Sequence, residues 1–254
     1  MRVQYISDLH VELLSIDEMY SLVAQIQPLC DICVLAGDVG APLKVDGLYP
    51  RFLQEMSYKF RKVFVVAGNH EFYGPHGMDL VRAGMRATCA PMQNVSFLDN
   101  AWEDFEGRRW IGTTLWSRVA NPQYTITDIV AIPGMDVARY NALHAEARAF
   151  LVEALAGAKA DGVPAVVITH HLPLNQLTAP QFRGAHFEKY HQWFSSDLGE
   201  VVSRFAPGIR GWFYGHTHAK SAQTHLGVVF YCNPVGYAGE NEATCASLNE
   251  ACDV

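Results

Sequence analysis

"FVVAGNHEFY", residues 64–73, starts as an apolar run and breaks into Gly68, Asn69, His70 and Glu71. A short β-branched run bounded by turn residues reads as a buried strand. Gly and Asn are ordinary turn chemistry at its end. An imidazole and a carboxylate are not, because they bring titratable groups to the mouth of the strand.

Outward from this stretch, four more apolar runs end the same way. "RVQYI" (2–6) leads to Asp8 and His10, "DICVLA" (31–36) to Asp38, "AVVIT" (165–169) to His170 and His171, and "GWFY" (211–214) to His216 and His218. Between them lie helical patterns. Met19, Leu22, Val23 and Ile26 share one helix face over 16–26, and Leu143, Ala147, Phe150, Leu151 and Ala154 share another over 140–155. "NVSFLD", "RRWIGTTLWS" and "GVVFYCN" read as further strands, two of them adjoining a second sheet. Alternation of this kind predicts an α/β fold with strands buried in the middle.

In an open α/β sheet the C-terminal strand ends share a crevice, so these polar residues converge there. Two Asp, one Asn and several His, with no thiolate among them, form a donor set for borderline divalent metals. On extended chain, Asp-x-His and His-x-His would each point two side chains the same way, so that one metal could use each pair. Taken singly, Asp-x-His and Gly-Asp are what any turn uses. The ordered set at five strand ends is not explained by turns.

At 254 residues, half of them apolar, the chain has material for one large domain spanning 1–254. The first residues enter a strand with no signal-peptide pattern, and no apolar run is long enough to cross a bilayer, so a cytoplasmic setting is expected. The net charge of −7 argues against an extended grip on nucleic acid. Of six cysteines, only Cys30 and Cys33 have a C-x-x-C spacing, with no second pair to complete a zinc site, so they read as reduced core residues. Residues 172–196, rich in Pro, Gly, His and aromatics, predict a long substrate-facing loop, and 239–254 a loosely held tail.

Asp8-Leu9-His10, Gly37-Asp38, Gly68-Asn69-His70-Glu71, His170 and Gly215-His216-Thr217-His218 resemble, in order, the signature of the calcineurin-like metallophosphoesterase superfamily: D-x-H, G-D, G-N-H-(D/E), H, G-H-x-H. The resemblance implies a two-sheet β-sandwich flanked by helices, an αββα four-layer arrangement. It further implies that Asp8, His10, Asp38 and His218 hold one divalent ion. Asp38, Asn69, His170 and His216 would hold a second, with Asp38 bridging. His170, not His171, is the ligand by the family's H-x-P pattern, met here as H-H-L-P. His70 would be catalytic, facing the substrate to stabilise the transition state or protonate the leaving oxygen. Two such ions, with manganese favoured over iron, zinc, nickel or cobalt, make a bridging water acidic enough to supply hydroxide near neutral pH.

The protein phosphatases of this superfamily continue after Gly-Asp into D-R-G. Here Val39-Gly40-Ala41-Pro42 follows, and "TLWS" (114–117), "SSDL" (195–198) and "NPVGY" (233–237) resemble compact bacterial-type phosphoesterases, with Val235 where relatives carry Arg. A small or nucleotide phosphodiester is the expected substrate. The alternatives are a phosphomonoester, on a small molecule or a phosphoprotein, and a non-catalytic metal-binding scaffold. Arg183 and His191 are the expected substrate contacts of the 172–196 loop. Sequence gives no oligomeric state.

Overall fold

Every residue of Ile32–Ala36, Lys62–Val66 and Ala165–Thr169 is buried, which is why these runs carry apolar residues at consecutive positions. The computed structural model of the chain describes residues 1–122, 124–237 and 248–254. In chain order its elements are β1 (Arg2–Ile6), α1 (Ile16–Gln25), β2 (Ile32–Ala36), α2 (Leu48–Lys59), β3 (Lys62–Val66), α3 (Met78–Cys89), β4 (Val95–Phe97), β5 (Ala101–Phe105), β6 (Arg108–Thr113), α4 (Thr127–Ala131), α5 (Val137–Asp161), β7 (Ala165–Thr169), α6 (Glu188–Phe194), α7 (Gly199–Phe205), β8 (Ile209–Tyr214), β9 (Ser221–His225), β10 (Val228–Cys232) and β11 (Ala251–Asp253).

They make two mixed sheets, ordered β11-β1-β2-β3-β4 and β5-β6-β7-β8-β10-β9. The inner strands run parallel, and the antiparallel strands β11, β5 and β9 sit at edges. Alternation along each strand then builds the layers. Val34, Ala36, Phe64 and Val66 face Trp110, Val166, Ile168 and Phe213 of the other sheet. Cys33, Leu35, Val63 and Val65 face the opposite way, onto Met19, Val23, Phe52 and Met85 of α1, α2 and α3. On the second sheet Ile111, Val167 and Trp212 pack against Ala147, Leu151 and Val202 of α5 and α7. The outcome is helices, sheet, sheet, helices. Phe64 and Trp110 stack across the middle at 4.4 Å and 14°, so Trp110→Ala would cost about 3–5 kcal/mol.

Two segments differ from the sequence reading. Residues 172–196 are not one long loop: 3-10 turns occupy Asn175–Leu177 and Pro180–Phe182, and α6 follows. Pro173, Pro180 and Gly184 cut the segment into pieces too short to show a period, yet Leu174, Leu177 and Trp193 bury and anchor it. The last residues pair with β1 as an antiparallel edge strand, although three residues show no alternation to read. Residues 239–247 of the expected tail lie outside the described residues. Among the described residues no helix is long and apolar enough to cross a membrane.

Candidate metal centre

The chain turns sharply as it leaves β1, β2 and β8. Asp8, His10, Asp38, His216 and His218 all have left-handed backbone, with φ of 53, 47, 51, 68 and 47°. Residues with a Cβ avoid that region, at a cost of order 1–3 kcal/mol each where it is strained. These segments are therefore not extended. Asp8 and His10 still share a donor set, but His216 and His218 diverge into different ones, so the expectation that each pair serves one metal does not hold for His-x-His. Two motif glycines are required by close approach: a Cβ on Gly68 would overlap the Asp38 carboxylate, and one on Gly215 would lie 2.8 Å from Asp8 Oδ2.

Asp8, His10 and His218 form one donor cluster and Asp38, His170 and His216 another. In the first, His218 Nε2 lies 3.3 Å from both His10 Nε2 and Asp8 Oδ1. In the second, His170 Nε2 lies 3.3 Å from Asp38 Oδ2 and 3.1 Å from Asn69 Oδ1. Asp38 Oδ2 is also 3.9 Å from His10 Nε2 and so reaches both. Donors bonded at about 2.0–2.2 Å to one ion stand roughly 3–3.5 Å apart, which matches the 3.1–3.3 Å separations within each cluster.

The charges agree with a cation site. Asp8 and Asp38 are buried. Burial pushes both carboxyls up, but the neighbouring His218 and His170 hold them below the usual range, so two anions sit in the interior. Burial, reinforced by His171 and His170, drives the His216 imidazole well down to its neutral form. Its Nε2 is buried without a hydrogen-bond partner. Buried carboxylates beside an unpartnered imidazole lone pair are a donor set made for a divalent ion.

A second ring of side chains fixes the donors. Glu71, fully buried, accepts the backbone N–H groups of Gly68, Asp38 and Val39 at 2.7, 3.1 and 2.8 Å, tying the ends of β2 and β3 together. That is the carboxylate's place in Gly-Asn-His-Glu. Asp128 of α4 accepts the Asn69 side-chain amide at 2.9 Å, which turns Asn69 Oδ1 toward His170. His170 Nδ1 donates to the Ala36 carbonyl at 2.9 Å, leaving Nε2 for the cluster. His171 instead turns inward to the Tyr140 hydroxyl, 3.0 Å away.

His70 sits between the clusters and the cleft. Its Nδ1 lies 3.5 Å from Glu12 Oε1, which also accepts from His10 Nδ1 at 3.2 Å, and its Nε2 lies 2.9 Å from the Tyr237 hydroxyl. Burial lowers the His70 pKa, but Glu12 and Asp38 outweigh it and the net shift is upward. The cleft beyond has a volume of about 530 Å³ and is lined by Asp38, Asn69, His70, His216 and His218 on one side. On the other stand Phe182, Phe187, Tyr190, His191 and Phe194. Arg183 is not in that lining: its guanidinium donates to the carbonyls of Thr178 and Gln176 at 2.7 and 2.9 Å. His191 lines the cleft, with Nε2 2.5 Å from the Phe182 carbonyl. Glu12, Glu71, Asp128 and Tyr237 had no assigned role in the sequence reading. Of these Glu71 carries a signal as the fourth residue of its motif and Tyr237 as the last residue of "NPVGY", whereas Glu12 and Asp128 stand in no motif.

The model of the family "Calcineurin-like phosphoesterase" matches residues 1–220. An uncharacterised protein of Acanthamoeba polyphaga mimivirus is 27% identical, covering 94% of this chain and 93% of its own. Among solved structures, the phosphopantetheinyl hydrolase of Mycobacterium tuberculosis shares the fold at a TM-score of 0.70 and 19% identity, covering 92% of this chain and 89% of that one. A dimetal phosphatase of Danio rerio does so at 0.53 and 12%, covering 92% and 87%. With the family model spanning most of its length, the chain belongs to the calcineurin-like phosphoesterases, hydrolases of phosphate esters.

Proposed function

We propose that this phosphoesterase is a two-metal phosphodiesterase, with Asp38 shared between a site of Asp8, His10 and His218 and a site of Asn69, His170 and His216. The observation that carries the two-metal reading is the pair of donor clusters joined by one buried carboxylate. Divalent ions there, with manganese favoured, would supply Lewis acidity and a water made acidic enough to attack phosphorus.

The chain's own residues do the rest. Glu71 and Asp128 hold Asp38 and Asn69 in place, so the donors need no reorganisation on binding. His70 faces the cleft with its pKa raised, suited to donating a proton to the leaving oxygen. Glu12 orients the imidazole through Nδ1 and leaves Nε2 on the cleft side, beside Tyr237.

The cleft's charge favours a diester. No Lys or Arg lines it among the described residues, and neither Gln123 nor the sequence AGENEATCAS at 238–247 contains one. A monoester brings up to two negative charges and a diester one, so the extra charge of the monoester meets no side-chain cation. Beyond its phosphate, the phosphopantetheinyl group named for the Mycobacterium tuberculosis neighbour carries no charge, and it belongs in the substrate panel for that reason. The net charge of −7 supports a small substrate over an extended nucleic acid. Five described cysteines, all unpaired, support a reducing compartment such as the cytoplasm.

Metal analysis of Mn²⁺-loaded, desalted protein tests the reading. Two equivalents per chain are expected in the wild type, and Asp38→Asn should lose at least one. Full turnover by metal-depleted Asp38→Asn protein would sink it.

A further inference from the structure

Six aromatic rings line the cleft beside the donor clusters: Tyr73, Phe182, Phe187, Tyr190, Phe194 and Tyr237. Three of them lie tilted against the histidines of the centre. Tyr73 covers His70 at 4.2 Å and 30°, Tyr237 covers His10 at 4.5 Å and 34°, and Phe194 covers His216 at 4.8 Å and 31°. The aromatic surface therefore begins at the reacting centre.

Much of this surface is left in water. Phe182, Phe194 and Tyr237 are 36, 37 and 36% exposed, and all three border one cavity. Single exposed apolar residues need no explanation, but several around one concave site mark a place where a ligand removes them from water. Phe182 meets Phe187 edge-on at 5.4 Å and 81°, so the wall presents both ring edges and ring faces. The polar groups interspersed in it are the hydroxyls of Thr125, Thr127, Thr178 and Thr217, together with the Asp128 carboxylate, taken up by Asn69 and Tyr73, and the His191 imidazole, whose Nε2 lies 2.5 Å from the Phe182 carbonyl. Lys189 lines a neighbouring cleft, and its ammonium already lies over the rings of Tyr124 and Tyr190, at 4.3 and 4.9 Å.

We propose that this wall is a binding subsite for one ester arm of the substrate, and that the arm is a neutral aromatic ring system. The proposal rests on the phosphodiesterase reading and adds which diesters the site takes. Aromatic faces stack on any planar ring and have no group to meet a second charge, which the cleft would have to desolvate without compensation. The threonine hydroxyls offer hydrogen bonds to heteroatoms at a ring's edge. An aliphatic arm of the same charge would fill the same space without stacking.

The test is calorimetric titration of the Mn²⁺-loaded protein with diphenyl phosphate, diethyl phosphate and bis(4-carboxyphenyl) phosphate. The proposal expects diphenyl phosphate to bind at least about tenfold more tightly than either of the others, the scale of one base-on-ring stack. A Phe187→Leu, Tyr190→Leu protein, which keeps apolar bulk and loses two rings, should bring the phenyl-to-ethyl ratio down toward one. Equal affinity for the phenyl and ethyl diesters in the wild type would overturn the proposal, as would preference for the carboxylated arm. A ratio unchanged in the double variant would remove this wall from recognition. Hydrolysis of bis-p-nitrophenyl phosphate, followed separately, reports on the underlying reading. Turnover without aryl preference defeats only the subsite, and aryl-selective binding without turnover defeats only the phosphodiesterase.

Discussion

The strand-end cluster and the segment 178–194 that faces it across the cleft are built in opposite ways. Asp8, Asp38 and His170 are almost completely buried, sit at the ends of parallel strands, and are held by backbone or carboxylate partners. The facing segment rides on a 3-10 turn and a seven-residue helix, and its rings stand partly in water. One side is fixed by two sheets and the other by a few anchors such as Leu177 and Trp193. Under the proposed function the contrast would divide the labour: the sheets would fix the reaction, and the connecting chain would select the ester.

The largest effect should come from the residue at the boundary. His70→Ala is expected to lower kcat by about 10²–10⁴-fold while metal analysis shows both equivalents retained. His70 is within donor reach of His10 and Asp38, so loss of a metal in this variant would place it among the ligands instead. Either result sharpens where the fixed side ends.

A smaller effect is expected across the cleft. Arg183 and His191 hold carbonyls of the segment, at Gln176, Thr178 and Phe182. Replacing both with Ala should change relative rates among several diesters by up to about tenfold, with metal content intact. Unchanged relative rates would detach the segment from substrate choice.

The smallest is a stability effect beneath the same segment. His144 of α5 lies 3.4 Å from Ser196 Oγ and 3.3 Å from the Leu115 carbonyl. Burial, helped by Arg148 and Arg118, lowers its pKa below the usual 6.5. The unfolded chain therefore takes up this proton first, so the stability carried by neutral His144 is complete above pH 6.5 and fades as pH falls below it. His144→Gln should narrow the difference in Tm between pH 7.5 and pH 5 by a few degrees at most. A difference equal to that of the wild type would show that His144 carries none of it.

The same contrast governs what the sequence disclosed. Strands β1, β2, β3, β7 and β8 are legible because each is a short apolar run, and the donors are legible because each follows such a run directly. Helix α2 buries Leu48, Tyr49, Phe52, Leu53 and Met56, but Pro50 in its first turn reads as a break. Strand β5 carries alternating exposed positions at an edge and has no apolar run to find. Asp128 is 59 residues from Asn69 and Glu12 is 58 from His70, so no spacing pattern connects them. The left-handed turns at Asp8, His10, His216 and His218 were hidden for another reason: Asp and His are not turn glycines, and the strain appears only once the backbone is traced.

The most direct test of the central claim is the rate of hydrolysis of bis-p-nitrophenyl phosphate beside p-nitrophenyl phosphate, with Mn²⁺-loaded protein and a chelated control. The account predicts turnover of both that is lost on chelation, with kcat/KM higher for the diester. Metal-dependent turnover with the monoester faster would contradict the diester assignment. No turnover of either substrate by protein carrying two metals would contradict the phosphodiesterase itself.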